Sequence, residues 1–210
     1  MVDFAVVPAR TALINVDMQN AFVENSPLAA PEGPAVLQRI NRLSAACRKA
    51  GVLVVHTVVT YRPDHSNIGI AKEFMPPAAL AARLLDKGQE SAELHKGLVV
   101  EPGDIILDKP RYGAFYSTDL ELILRNKGID TVIITGICTN VCCETTAREA
   151  AVRDFKVLFT SDGTATFGVG GLTHQEIQRA TCATLAVVFA QIVTVDEVIA
   201  KLARAGRAAA

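Results

Sequence analysis

The stretch TVIITGICTNVCCETTAREAA at residues 131–151 decides the fold class. It opens with β-branched residues at 131–135, a composition typical of a buried strand. Gly136 interrupts the run, and residues 141–151 have helix-forming composition, with Asn140 as candidate N-cap. A strand, a tight turn and a helix in succession predict a parallel α/β unit whose turn lies at the carboxyl edge of a sheet.

Cys142 lies within about one residue of the start of this predicted helix. A helix N-terminus carries unpaired N–H groups and a partial positive charge, which favour a thiolate over a thiol. Cys143 lies about 100° further round the helix and is expected to face elsewhere. Cys138 precedes the helix and is better placed to contribute a backbone N–H. We therefore predict that Cys142 is the nucleophile.

Apolar runs predict five further strands, at residues 11–16, 52–59, 104–107, 157–160 and 191–195. Helical spacing and stop signals predict helices at 35–50, 118–126, 173–190 and 196–203. This alternation indicates a three-layer α/β fold: a doubly wound, mostly parallel sheet of five to six strands with helices on both faces. The connections 60–100 and 161–172 are predicted to be loops that act as lids or subunit contacts.

The composition is typical of a globular protein, and we predict one domain spanning residues 1–210 with a frayed tail at 204–210. Half of the 210 residues are hydrophobic and a fifth are charged. The formal net charge is −1 and no Lys/Arg cluster occurs, so we expect no nucleic-acid partner and no anionic membrane surface.

Targeting and redox signals are likewise weak. The first ten residues lack the basic and apolar pattern of a signal peptide, and no apolar run approaches ~18 residues. The five cysteines have no disulfide-framework spacing. We therefore expect a cytoplasmic protein with free thiols and no membrane association.

Three reactive residues follow three predicted strands: Asp17, Lys109 and Cys142. The carboxyl ends of parallel strands open on one edge of a sheet, so these side chains can converge. A carboxylate can accept a thiol proton, and an ammonium can favour the thiolate and hold the carboxylate ionised. Taken singly, each residue is equally explained as a turn cap, a solvated edge residue or core filler.

Three blocks carry a family resemblance: NVDMQNAF at 15–22, KPRYGAF at 109–115 and TGICTNVCCETTAREA at 135–150. In content and order they resemble the signature blocks of the isochorismatase-like cysteine hydrolases. The resemblance implies a Cys-Asp-Lys triad in which Asp17 is the base, Lys109 its partner and Cys142 the nucleophile. It also implies a cis peptide bond at Ile137–Cys138, backbone N–H groups of Cys138 and Cys142 that bind the substrate oxygen, and a dimer or tetramer.

The activity implied by this resemblance is hydrolysis of a small linear amide or ureide, with release of ammonia through a thioester. Two alternatives stay open: a vinyl-ether hydrolase of the isochorismatase type, which typically lacks the cysteine, and a non-catalytic binding protein on the same fold. The spacing from Cys142 to Arg148 also fits the C-x5-R pattern of thiol phosphatases. That loop needs wrapping N–H groups, however, and Glu144 inside it would repel phosphate.

No metal or other cofactor is expected. Nicotinamidases of this family carry D-x-H after the second strand, where this chain has TYRP at 60–63. Asp64 and His65 are adjacent, which is a poor spacing for joint chelation. The glycine-rich segment 164–171 does not follow a first strand, so it does not indicate a dinucleotide site.

Candidate substrate contacts come from position alone. Residues that flank the three blocks or the second strand are Phe22, Arg62, Tyr112, Phe115, Thr139 and Asn140. The aromatic ones could wall a pocket. Arg62 and Arg111 could each meet a substrate carboxylate or pair with an acidic side chain of the protein.

Overall fold

The fold is a six-stranded parallel sheet between two layers of helices, in a computed structural model that describes residues 2–208. The strands are β1 Thr11–Val16, β2 Leu53–Val59, β3 Ile105–Lys109, β4 Thr131–Ile137, β5 Lys156–Ala165 and β6 Gln191–Val193. The helices are α1 Asn20–Val23, α2 Gly33–Ala50, α3 Ala71–Phe74, α4 Pro77–Ala81, α5 Leu120–Asn126, α6 Glu144–Ala151, α7 His174–Val188 and α8 Val195–Ala208. The predicted fold class is confirmed.

The strand order is β3-β2-β1-β4-β5-β6, and all pairs are parallel. The chain therefore winds outward from β1 in one direction and from β4 in the other. The order reverses between these two neighbours, and open α/β sheets bind ligands at such a switch point. The site predicted from Asp17 and Cys142 lies at this place.

Side chains that alternate along the central strands form two cores. Leu13 and Ile133 belong to the core covered by α2 and α8, whereas Ile14 and Ile134 belong to the core covered by α5, α6 and α7. Strands that are buried on both faces read as continuous apolar runs, which is why the sequence located them. No helix within residues 2–208 combines the length and the apolar character that crossing a membrane requires.

Several boundaries differ from the predictions. Gly136 does not end β4: it pairs with Val16 of β1 at a φ of +122°, and the strand runs on to Ile137, which pairs with Ala165 of β5. Lys109 is the last residue of β3 and does not follow the strand. β5 continues to Ala165, so the predicted loop 161–172 is strand in its first part.

The two C-terminal helices test the capping rules. Thr173 and Glu176 form the predicted capping box at the start of α7. α8 continues to Ala208, so the predicted frayed tail 204–210 is helical as far as the structure describes it. Residues 209 and 210 lie outside the described residues.

A buried polar network joins the sheet to α2. Asn15 Nδ2 lies 3.3 Å from His56 Nδ1, and His56 Nε2 lies 3.0 Å from Asp104 Oδ2. Burial lowers the pKa of His56 and so keeps the ring neutral, with its proton on Nε2 facing the carboxylate. Burial acts to raise the pKa of Asp104, but hydrogen bonds from Arg48 and His56 outweigh it and lower the value to about 2.

We predict that Gly136→Ala lowers the free energy of unfolding by about 3 kcal/mol or more. A Cβ there would lie 2.0 Å from the Val16 carbonyl oxygen, which the neighbouring strand holds in place. Gly128→Ala is the matched control: its φ is also positive, at +69°, but nothing lies within 4 Å of an added Cβ. Urea denaturation should give a loss of about 1 kcal/mol for the control, and equal losses for the two variants would contradict the steric argument.

Candidate active site

Three strand ends bring Asp17, Lys109 and Cys142 together. Lys109 Nζ lies 2.7 Å from Asp17 Oδ2, and neither side chain has any solvent exposure. The thiol of Cys142 is also buried, and the Asp17 carboxylate is close enough to raise its pKa. A carboxylate, an ammonium and a thiol thus meet in a site closed to bulk water.

Asp17 is held by β2, although it belongs to the segment that follows β1. Its φ is +50°, a left-handed conformation that aspartate tolerates better than most residues. Its N–H donates to the Thr57 carbonyl oxygen at 3.1 Å, and the Thr57 hydroxyl donates to Asp17 Oδ1 at 2.7 Å. Oδ2 contacts Lys109 but receives no aligned hydrogen bond from the described residues. Oδ1 therefore has a hydrogen-bond donor in Thr57, and Oδ2 faces the Lys109 ammonium.

Lys109 stays charged because of its partner. Burial alone would lower the pKa of this ammonium, but the Asp17 carboxylate outweighs burial and raises it. Nζ also donates to the Arg111 carbonyl oxygen at 2.8 Å. The ammonium therefore stabilises negative charge on either Asp17 or Cys142.

Cys142 is a protonated thiol in this arrangement, so the predicted preference for the thiolate is wrong. Burial raises the pKa of Cys142 well above its usual value; Lys109 opposes this shift, and Asp17 adds to it. The thiol thus requires a base, and Asp17 is adjacent.

The backbone around Cys142 also differs from the prediction. Residues Thr139–Cys143 form a π-helical turn, and α6 begins only at Glu144, so Asn140 is not a helix cap. Asn140 Oδ1 instead accepts a hydrogen bond from the Thr166 hydroxyl at 2.6 Å. A single π turn of this kind is frequent at functional sites.

The turn before Cys142 contains a cis peptide bond between Ile137 and Cys138. The Cys138 carbonyl oxygen accepts hydrogen bonds from the N–H groups of Val141 and Cys143, on either side of Cys142. Cys143 is fully buried, with its Sγ 3.7 Å from the Thr135 carbonyl oxygen. The Cys143 side chain therefore faces β4, the strand that precedes it. Burial raises the pKa of the Cys138 thiol to about 12.

A cavity of about 210 Å³ opens beside Cys142 and Cys138. Its aromatic walls are Phe22, Tyr61, Phe74, Tyr112 and Phe167. Larger aliphatic side chains complete it: Leu28, Val59, Met75, Leu85 and Val141. Of the substrate contacts predicted from the sequence, Phe22 and Tyr112 line this cavity.

The other predicted contacts do not line it. Arg62 is exposed to solvent. Phe115 is buried against the Phe155 ring, with 5.7 Å between the ring centroids. The Thr139 hydroxyl donates to Gln178 Oε1 at 2.5 Å. These side chains pack within the protein or face solvent, and Asn140 is engaged with Thr166 as described above.

Gln19 is a buried residue that sequence reasoning missed. Its Nε2 donates to the carbonyl oxygens of Val59 and Ala92 at 3.1 and 2.7 Å, and its Oε1 accepts from the Val59 N–H at 2.9 Å. It thereby fixes the irregular segment 60–100 to the end of β2. Its place two residues after Asp17 within the first block is the signal that could have found it.

Among residues 2–208, no three or more His, Cys, Asp or Glu side chains group so as to hold a metal ion. His65 Nε2 instead lies 2.8 Å from Asp86 Oδ1, and Arg83 also pairs with Asp86. Asp64 is exposed, and its carboxylate accepts a hydrogen bond from the Ser66 N–H at 3.0 Å. Asp64 and His65 thus have protein partners of their own.

Comparison with known proteins places the chain in a family. The isochorismatase domain model matches residues 11–197. Ureidoacrylate amidohydrolase RutB of Methylorubrum extorquens is 38% identical, over 80% of this chain and 75% of its own. The RutB protein of an Enterobacter species is 36% identical, over 75% of this chain and 76% of its own. The crystal structure of a cysteine hydrolase from Pseudomonas syringae pv. phaseolicola is 33% identical, covers 97% of both chains and superposes with a TM-score of 0.91.

We predict that Asp17→Asn lowers the pKa of the Cys142 thiol. The carboxylate raises that pKa, and its removal leaves the buried Lys109 ammonium with the thiolate as its counterion. The pH dependence of iodoacetamide alkylation, followed by mass spectrometry of the Cys142 peptide, measures the shift. Lys109→Met is the control, because removal of the ammonium should move the pKa upward. A Cys142 pKa that rises or stays constant in Asp17→Asn would contradict the assigned electrostatics.

Proposed function

The chain is a hydrolase of the isochorismatase family, and we propose that it is a cysteine-dependent amidohydrolase releasing ammonia from a small linear amide or ureide. The observation that carries this proposal is the buried Asp17–Lys109 ion pair, both members of which act on the pKa of the buried Cys142 thiol. A thiol whose pKa is raised by burial is a weak nucleophile by itself, because little of it is thiolate at neutral pH. Beside an ionised carboxylate it becomes a nucleophile at the moment of attack.

In the first half-reaction Asp17 accepts the thiol proton as Sγ of Cys142 bonds to the carbonyl carbon of the substrate. The carbonyl oxygen becomes an oxyanion, for which the N–H groups of Cys138 and Cys142 are the proposed donors, oriented by the turn that follows Ile137. One such donor typically contributes ~3 kcal/mol to transition-state stabilisation. Lys109 remains an ammonium throughout and compensates the negative charge in the site.

Collapse of the tetrahedral intermediate breaks the carbon–nitrogen bond. The leaving nitrogen takes the proton held by Asp17 and departs as ammonia, and the acyl group remains on Cys142 as a thioester. In the second half-reaction Asp17 accepts a proton from a water molecule that attacks the thioester carbonyl. The acid product leaves, and the proton returns to Sγ to restore the thiol.

The relatives support the reaction class. The RutB proteins are named for hydrolysis of ureidoacrylate, a ureide, and the Pseudomonas structure is described as a cysteine hydrolase. A vinyl-ether hydrolase would not need a thiol next to a base, so Cys142 argues for the amidase. A buried ion pair is costly to form, and binding alone would not require one beside a thiol.

We predict that Cys142→Ala lowers kcat/KM for ammonia release by about 10⁴-fold or more, because the acyl acceptor is lost. Cys143→Ala is the matched control: this neighbouring thiol faces its own strand, and activity should stay within about tenfold of the wild type. Ammonia release from pooled short amides and ureides measures both.

Mass spectrometry of the wild-type protein quenched with substrate should find the acyl group on the Cys142 peptide. The mass added would identify the acyl group. Acyl label on Cys138 or Cys143, or undiminished turnover in Cys142→Ala, would overturn the proposal.

A further inference from the structure

The cavity beside Cys142 contains almost no polar groups. Apart from the two thiols, the polar side-chain atoms on its walls are the phenol hydroxyls of Tyr61 and Tyr112. Burial raises the pKa of Tyr61 to about 12, so its hydroxyl stays protonated and uncharged at neutral pH. Tyr112 is 38% exposed and lies at the mouth. The side chains of the cavity can therefore form few hydrogen bonds to the non-reacting part of a substrate, and all of them would come from uncharged groups.

Among residues 2–208, no Lys, Arg or His side chain lines this cavity. The cations nearby are already engaged or point elsewhere. Lys109 is paired with Asp17, and Arg111 Nη1 donates to the carbonyl oxygens of Asn67 and Pro110 at 2.7 and 2.6 Å. Arg62 lies in solvent. A substrate carboxylate in the cavity would lose its hydration with no cationic side chain on the wall to bind it, which disfavours its binding.

The dimensions of the cavity restrict the substrate further. Its volume of about 210 Å³ is below the roughly 300–1,000 Å³ that pockets for drug-sized ligands offer. The walls come from bulky side chains such as Phe22, Met75 and Phe167. A short chain fits, and apolar atoms on that chain would gain from burial against these walls.

We propose that the substrate of this site is an amide or ureide whose non-reacting part is short, uncharged and mainly apolar, and that amides carrying a carboxylate are rejected. This inference rests on the proposed function, because it assigns a substrate class to the same cysteine. It separates this chain in substrate preference from relatives named for ureidoacrylate, whose substrate carries a carboxylate.

Isosteric substrate pairs test the inference with the wild-type protein. (3-Methylbutyl)urea and 3-ureidopropionate have the same shape, with two methyl groups in place of two carboxylate oxygens, as do 4-methylpentanamide and succinamate. We expect kcat/KM to be at least about a hundredfold higher for the neutral member of each pair, because the carboxylate would be buried unpaired. Equal values, or a preference for the anion, with turnover that depends on Cys142, would overturn the inference and leave the proposed function standing.

A rim variant makes the test specific to charge. Phe74 lines the cavity yet is 78% exposed, so its replacement should leave the fold intact. Phe74→Arg supplies a cation for a carboxylate, and the ratio of neutral to anionic kcat/KM should fall by at least about tenfold. Phe74→Leu is the matched control and should leave the ratio within about threefold. An unchanged ratio in Phe74→Arg would contradict the assignment of this cavity to the non-reacting part of the substrate.

Binding separates this inference from the reaction itself. If neither member of a pair is hydrolysed, the proposed function fails for that pair, and ligand-observed NMR with the Cys142→Ala protein still compares their affinities. Tighter binding of (3-methylbutyl)urea than of 3-ureidopropionate supports the apolar preference. The reverse order, or no detectable binding of the neutral member, overturns it.

Discussion

The buried ion pair between Asp17 and Lys109 is the constraint on which the rest of the site depends. Neither side chain touches solvent, so each buried charge is compensated by the other, 2.7 Å away. Asp17 follows β1 and Lys109 ends β3, with β2 between these two strands. β2 sets their spacing through its register, in which Val59 pairs with Lys109, and through Thr57, which holds Asp17 by backbone and side chain.

The groups proposed to react are charged, whereas the walls of the adjoining cavity are aromatic and aliphatic. The Asp17–Lys109 ion pair and Cys142 are buried, and burial strengthens each electrostatic interaction between them. The same burial raises the pKa of the Cys142 thiol, so in the proposed mechanism the thiol becomes a nucleophile as the carboxylate accepts its proton. The cavity on the other side of the thiol is walled by aromatic and aliphatic groups. In the proposed reaction, the charged groups therefore lie next to the bond that breaks, and the rest of the substrate meets uncharged walls.

The topology explains why the charged pair, Cys142 and the cavity lie at one place on the sheet edge. The strand order reverses between β1 and β4, so the segments that follow these neighbouring strands diverge and leave a crevice at their carboxyl ends. Asp17 follows β1, and the cis peptide, the π turn and Cys142 follow β4. Gly136 permits β4 to approach the Val16 carbonyl closely enough to carry the turn to that edge. The irregular segment 60–100, fixed by Gln19, then closes the crevice into a cavity.

The sequence by itself determined the six strands and the sheet class, because doubly buried strands read as apolar runs. It also predicted that Asp17, Lys109 and Cys142 share one edge of the sheet, where the structure brings Asp17 and Lys109 into contact. It also located the capping box of α7, which depends on neighbours three residues apart. Only the tertiary structure decided that burial raises the pKa of Cys142 and which side chains line the cavity. It also decided that the Asn140 side chain accepts a hydrogen bond from Thr166 and does not cap a helix. A pKa depends on burial and on charges distant along the chain. Cavity walls such as Phe74 and Phe167 come from irregular segments that carry no periodic signal, so only the folded chain brings them together.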